Sequence, residues 1–198
     1  MFGKLREMKE ARDYMSYRWF FTSDGKLVVG GKSDEQNENV LKFFKRPGYT
    51  IMHTTKPGSP FMIIQSDDPS KKDLDECAIF CACFSKEWKS GNKTIDIDVF
   101  KGGEVYKTRD MKTGTFGVKN KKKVKAKTEL IVIIQKGKIR AVPKVKRDEE
   151  SLAVIKPGKM DKEAATMKIV KKIKEKYLLP VSKEEVMRAI PSGNMSVR

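Results

Sequence analysis

Residues 112–127, KTGTFGVKNKKKVKAK, hold more basic residues than any other acid-free stretch of the chain. Lys112, Lys119, Lys121, Lys122, Lys123, Lys125 and Lys127 are ammonium groups with no acid among them, and the chemistry they offer is neutralisation of phosphates. Asn120 tolerates a left-handed backbone, so VKNKKKV reads as the tip of a basic hairpin. Phe116 is interleaved with the charge, as is Tyr106 on the preceding strand. A lysine run alone is usually a solvated loop, but its neighbourhood argues for more. Of a formal net charge of +17, residues 101–147 supply +13, with 16 Lys or Arg against 3 Asp or Glu. Residues 1–100 carry 16 against 15, and residues 148–198 carry 11 against 8. A field concentrated in under a quarter of the chain calls for a polyanion partner.

Other chemistries fit less well. Gly30-Gly31-Lys32-Ser33 resembles the end of a phosphate-binding loop, which needs four residues between its glycines. Gly25 and Gly31 are separated by five, and Leu27, Val28 and Val29 among them favour a strand, so nucleotide hydrolysis is excluded. A glycine pair, Lys32 and a capped helix start would suit one phosphate group, though an ordinary strand-to-helix turn is the simpler reading. Cys77, Cys81 and Cys83 sit in an apolar run and read as core thiols, because a zinc site needs a fourth ligand and the only histidine, His53, lies on another element. Three cysteines of this kind predict no structural disulfide. His53 ends a strand before a Pro/Gly loop, and no acid follows it until Asp67, so an RNA-contacting or structural role is expected ahead of catalysis. Trp88 reads as a core anchor. No catalytic group, metal or cofactor is assigned.

The elements that must carry these residues follow from pattern. Residues 3–13 read as a short charged helix. YRWFFTS and KLVVGG are strands joined by Ser23-Asp24-Gly25-Lys26. Ser33 followed by Gln36 is a capping box opening a helix to Arg46. YTIMHTT and FMIIQS are strands flanking Lys56–Pro60, and residues 73–89 form one long helix. TIDIDVF, EVYKT, GTFGVK, TELIVIIQ and KIRAVP are strands, with hairpin turns at Gly102-Gly103 and Lys136-Gly137. Helices over 161–177 and 183–190 follow, the second capped by Ser182 and Glu185. The class is α+β: a largely antiparallel sheet with packed helices and a small C-terminal helical extension. The expected division is a leader over 1–13, a domain over 14–147 and the extension over 148–198, with the charge shift and KPGK marking the last boundary. No apolar run is long enough to span a membrane and the N-terminus lacks a secretory signal, so a cytoplasmic location is expected.

In this order the motifs resemble the NFACT-R domain, the RNA-binding domain of NFACT proteins, over roughly residues 14–142. An aromatic strand ends in Ser-x-Gly at Trp19–Gly25. Gly30-Gly31-Lys32 leads to Gln36-Asn37-Glu38. His53 precedes Gly58-Ser59-Pro60, and a helix of small residues ends in Ser85-x-x-Trp88. Val105-Tyr106-Lys107 and Gly114-Thr115-Phe116 then run into Lys119. IPSG, residues 190–193, is similar to the ends of some members. The family's aspartate two residues after the histidine is replaced by Thr55, its Arg-Asp after the glycines by Lys32-Ser33, and a glycine of the basic turn by Asn120.

The resemblance implies a non-enzymatic module for structured RNA, tRNA or ribosomal RNA, acting in translation quality control or RNA processing, with the ribosome or an RNA-modification enzyme as partner. The short leader has no room for the other domains of full-length NFACT proteins, so a stand-alone module is expected. Lys107, Lys112, Lys119, Lys121, Lys122, Lys123, Lys125 and Lys127 are assigned to phosphates. Lys32, Gln36, Asn37, Glu38, His53, Lys56 and Ser59 are assigned to closer contacts with RNA. Two rival readings make the chain an RNA-cleaving or RNA-modifying enzyme using His53, or a ribosome adapter docking through residues 161–190.

Overall fold

A computed structural model describes residues 14–145 and 148–198; the helix expected over 3–13 lies outside the described residues. The first sheet has six antiparallel strands. β1 (Arg18–Phe21) and β2 (Leu27–Gly30) form the expected hairpin, with Gly25 at φ 79° in its turn. β3 (Thr50–Thr54), β4 (Met62–Ile64) and β5 (Thr94–Lys101) follow. After β6 (Val105–Tyr106) and β7 (Gly117–Val118), which pair only with each other, β8 (Lys122–Lys127) returns to complete the order β1-β2-β4-β3-β5-β8. β9 (Leu130–Gln135), β10 (Lys138–Pro143), β11 (Ala153–Met160) and β12 (Met195–Val197) build a second antiparallel sheet in the order β10-β9-β11-β12.

Helices alternate with these sheets. α1 (Asp34–Phe44) covers one face of the first sheet, where Val40, Leu41 and Phe44 meet Val29, Ile51, Ile63 and Phe100. α2 (Lys71–Cys83) lies between the sheets. Its Cys77, Phe80 and Cys81 pack with Val28, Met52 and Ile97 of the first sheet and with Ile131, Ile133 and Val142 of the second. α4 (Lys162–Tyr177) and α5 (Lys183–Ala189) close the outer face over Leu130, Val132 and Ala141. Alternate residues of β9 thus point to different cores, which is why LIVIIQ is apolar almost throughout.

Four expectations change. The helix expected over 73–89 stops at Cys83, and a separate turn, α3 (Lys86–Lys89), follows. The Ser85 hydroxyl donates back to the Ala82 carbonyl at 2.7 Å while its backbone turns extended, so the chain breaks there. The lysine run is a strand and not a hairpin tip: β7 and β8 belong to different sheets, and Asn120 has no positive φ. Gly102-Gly103 opens a 3-10 turn (Gly102–Glu104) between strands of different sheets, not a hairpin. Finally, residues 148–198 supply strands as well as helices. KPGK lies inside β11, where Pro157 stands opposite Met195 and the register shifts before Met160.

Two of these features are directly measurable. Cys77, Cys81 and Cys83 are free and buried, and burial raises each thiol, Cys81 to about 12. We expect no thiol to react with Ellman's reagent in the native protein and all three to react in denaturant; one reactive native thiol would contradict this packing. Truncation after Lys156 removes the second half of β11 and all of α4, α5 and β12 from over Leu130, Val132 and Ala141. Cooperative thermal unfolding should be lost, and retention of the full-length melting temperature would show that the second core is not shared.

Candidate nucleic-acid interface

The direction of each lysine on β8 is set by one apolar residue. Ala126 is buried among Phe80, Ile95 and Ile97, so its face of the strand turns inward towards α2. Strand alternation then sends Lys123, Lys125 and Lys127 to the opposite face. They stand across from Asp98, Asp96 and Thr94 of β5 in register, while Lys122 and the half-exposed Val124 share Ala126's side. β8 is the last strand of its sheet, so its outer edge has no strand partner among the described residues. Lysines along such an edge also discourage pairing with another chain.

The face bearing Lys123, Lys125 and Lys127 is the one α1 covers elsewhere, and it continues into a cleft of about 440 Å³. His53 is the cross-strand neighbour of Asp98 on this cleft's wall. Its ring lies 4.7 Å from that of Phe61, and Phe116 meets Phe61 edge-on at 5.5 Å. His53 Nδ1 donates to the Thr54 carbonyl at 2.7 Å. Burial lowers the His53 pKa, and contacts with Thr54, Asp98 and Ser59 only partly offset it, so the ring is neutral at pH 7.

Asp98 is the residue that sequence reasoning missed. It is buried, its Oδ1 accepts from the Thr55 hydroxyl at 2.8 Å and its Oδ2 from Lys121 Nζ at 2.7 Å. An acid therefore adjoins His53, arriving from β5 where the loop itself has Thr55. Alternation in TIDIDVF placed Asp96 and Asp98 on one face; the pairing of β5 with β3 carried no signal in the sequence.

The remaining assigned residues divide between surface and scaffold. Lys112, Lys119 and Lys56 are exposed, Lys56 pairing with Glu87 at 3.3 Å. Lys107 sits 4.5 Å over the Phe116 ring and pairs with Glu38, whose Oε1 also accepts the Gly114 N–H at 2.8 Å. Glu38 thereby fastens the 107–114 loop to α1. Gln36 and Ser33 tie off the start of α1: Ser33 accepts from the Gln36 N–H, and Gln36 reaches back to the Lys32 N–H at 3.0 Å, one residue before the cap. Asn37 is buried and accepts the Phe61 N–H at 3.2 Å, so close to Gly31 that a Cβ there would collide with it. Ser59 is also buried, accepting the Thr54 N–H at 2.9 Å to close the loop beneath His53. Lys32 points away from this cleft, its Nζ donating to the Ser16 carbonyl at 2.5 Å.

The NFACT protein RNA binding domain matches residues 16–120, just over half of the chain. The chain belongs to this family. The match takes in the Lys32–Glu38 turn, the His53 loop and Phe116, and ends just before β8. The archaeal Rqc2 homolog aRqcH of Methanocaldococcus jannaschii is 26% identical over 209 residues, covering 98% of this chain and 30% of that protein. The human ribosome quality control complex subunit NEMF is 26% identical over 60% of this chain and 12% of its own length. The chain therefore spans less than a third of either curated relative. Among solved structures, the C-terminal part of the fibronectin/fibrinogen-binding protein from Streptococcus suis shares the fold, with TM-score 0.53 at 19% identity over 57% of this chain and 45% of that one. Among the described residues, no group of three potential ligands is placed to hold a metal ion, and no helix is long and apolar enough to cross a membrane.

His53 is the sole histidine, so its titration is directly observable. Its folded pKa is lowered, so between that value and the unfolded value near 6.5 the unfolded chain binds more protons. Stability is full above about 6.5 and falls as pH drops through that window. NMR of the imidazole should give a midpoint below that of a free histidine, and His53→Gln should remove this part of the acid sensitivity. A midpoint at or above the free value would contradict the half-buried, neutral ring.

Proposed function

We propose that this protein binds structured RNA, transfer or ribosomal, and acts in the cytoplasm in translation quality control or RNA processing. The observation that carries the reading is the shared direction of Lys123, Lys125 and Lys127, with Lys121 between them and the His53 cleft, in a chain of an RNA-binding family. The rims of the interface are phosphate contacts, which give affinity without sequence preference. The cleft, with His53, Phe61 and Phe116 along it, receives one splayed nucleotide, as aromatic sites in single-stranded RNA recognition do. The human relative NEMF is named as a subunit of the ribosome quality control complex, which makes the ribosome or its transfer RNAs the natural source of the ligand.

A binding role is favoured over catalysis by the bonds within the cleft. Both Asp98 oxygens are taken, by Thr55 and Lys121, and His53 Nδ1 is held by a backbone carbonyl, so the carboxylate does not orient the imidazole as a catalytic pair requires. The docking alternative through residues 161–190 is weakened because Ile169 and Ile173 of α4 and Val186 of α5 are buried against the second sheet.

Fluorescence titration of a labelled transfer RNA against salt tests the proposal. The K123E/K125E/K127E variant should bind at least ten-fold more weakly, and its log–log salt slope should shrink by about 0.7–0.9 for each phosphate that is no longer neutralised. K122E, on the other face of the same strand, should have a much smaller effect. Equal losses from the two variants would remove the face assignment, and no loss from either would remove β8 from the interface.

A further inference from the structure

A second cavity, of about 890 Å³, shares no residue with the His53 cleft. It opens where β1 and β10 meet the start of α4 and α5, and IPSG contributes Ile190 and Ser192 to its wall. Six basic side chains line it: Arg18, Lys32, Lys138, Arg140, Lys162 and Arg188. Its acids are Glu184, which is exposed, and Glu185, whose Oε1 accepts the Ile139 N–H at 3.4 Å.

The two arginines are unusual in what surrounds them. The Arg18 guanidinium lies 4.5 Å from the Phe84 ring centre, and its Nε is buried without a hydrogen-bond partner. Arg140 lies 4.4 Å from the Trp19 ring centre and donates from Nε and Nη2 to the Trp19 carbonyl, at 3.1 and 2.8 Å. Neither has an ion pair with a carboxylate among the described residues. Burial lowers both to about 10, and Arg18 adds to the shift of Arg140. Lys32 and Lys162 are lowered first by burial and then by their basic neighbours, Arg18 in both cases. Partly buried cations that crowd one another without a counter-charge are costly, and an anion among them relieves burial and repulsion together. Planar guanidinium groups fixed over aromatic rings hold their remaining N–H donors in place for a tetrahedral oxyanion.

We propose that this cavity is a phosphoryl-binding site, in which Arg18 and Arg140 grip the oxygens of a phosphate group and Lys32 and Lys162 close around it. The phosphate is carried either by a small molecule or by a nucleic-acid end or linkage, and the site is independent of the lysine face of β8. Arg18 and Lys32 lie within the family domain, whereas Arg140, Lys162 and Arg188 come from beyond it, so the site exists only where the C-terminal segment packs back on that domain.

Isothermal titration calorimetry on the full chain tests this with four probes at constant ionic strength: inorganic phosphate, uridine 5′-monophosphate, and a four-nucleotide RNA with and without a 5′-phosphate. At least one should bind, and Arg18→Met and Lys162→Gln should each weaken that binding ten-fold or more. The phosphate affinity of K171Q, on the exposed side of α4 and outside both cavities, should be unchanged. Preference for the 5′-phosphorylated RNA identifies a terminal phosphate as the ligand, equal binding of both RNAs identifies a linkage, and binding of the small probes alone identifies a free phosphorylated molecule. Lys162 lies at the helix start, so its variant decides the matter if Arg18→Met does not fold. No heat from any probe up to millimolar concentration overturns the proposal, as does an affinity indifferent to both substitutions.

Discussion

The register of β8 on β5 is the constraint from which the rest of the surface follows. Six residue pairs, Thr94↔Lys127 through Val99↔Lys122, fix the strand, and the burial of Ala126 fixes which side is in. A slip by one residue would turn Lys123, Lys125 and Lys127 towards the apolar face carrying Ile95 and Ile97. Desolvating three ammonium groups there is far more costly than exposing one alanine, so the register is strongly specified. The acids of β5 complete the arrangement. Asp96 lies 3.8 Å from Lys125, and Asp98 binds Lys121, which fastens the entry to β8 across the neighbouring strand. An exposed pair such as Asp96–Lys125 contributes only about 0–1 kcal/mol, whereas the Asp98 end of the other pair is buried. Their effect is positional: they moderate the repulsion along the lysine row without removing its net positive charge.

The same layering explains why two basic sites coexist in one small fold. α1 covers only part of its face of the first sheet, and the uncovered part holds the His53 cleft and the lysine row. α2, buried on both sides, links that sheet to the second one. At the seam where β1 and β10 come together, the Arg140 side chain bridges the sheets by donating to the Trp19 carbonyl. The arginine cavity is therefore a product of how the two sheets dock, and the lysine face is a product of one sheet's edge.

Much of this was legible in the residues and some was not. Apolar and aromatic runs with turn residues between them gave the β1–β2 and β9–β10 hairpins, and Ser33 and Ser182 marked helix starts that the side-chain caps occupy. The lysine run was legible as charge but not as a strand, because only Val124 and Ala126 interrupt it and only Ala126 is buried. β11 was hidden by Pro157-Gly158, which normally punctuates a turn and here marks a bulge where Gly158 lets β12 approach closely. Among the site residues, the Gln36-Asn37-Glu38 signature has structural duties within the fold, each side chain bonding a backbone N–H. Asp98, Arg18 and Arg140 could not be singled out, since their significance lies in pairings between distant segments.

The central claim is that one face of β8 meets RNA, and lysine acetylation footprinting read by mass spectrometry addresses it without altering the protein. In the presence of saturating transfer RNA, the account predicts protection of Lys123, Lys125 and Lys127 and continued labelling of Lys122. Uniform protection along the strand, or none at Lys123, Lys125 and Lys127, would contradict it.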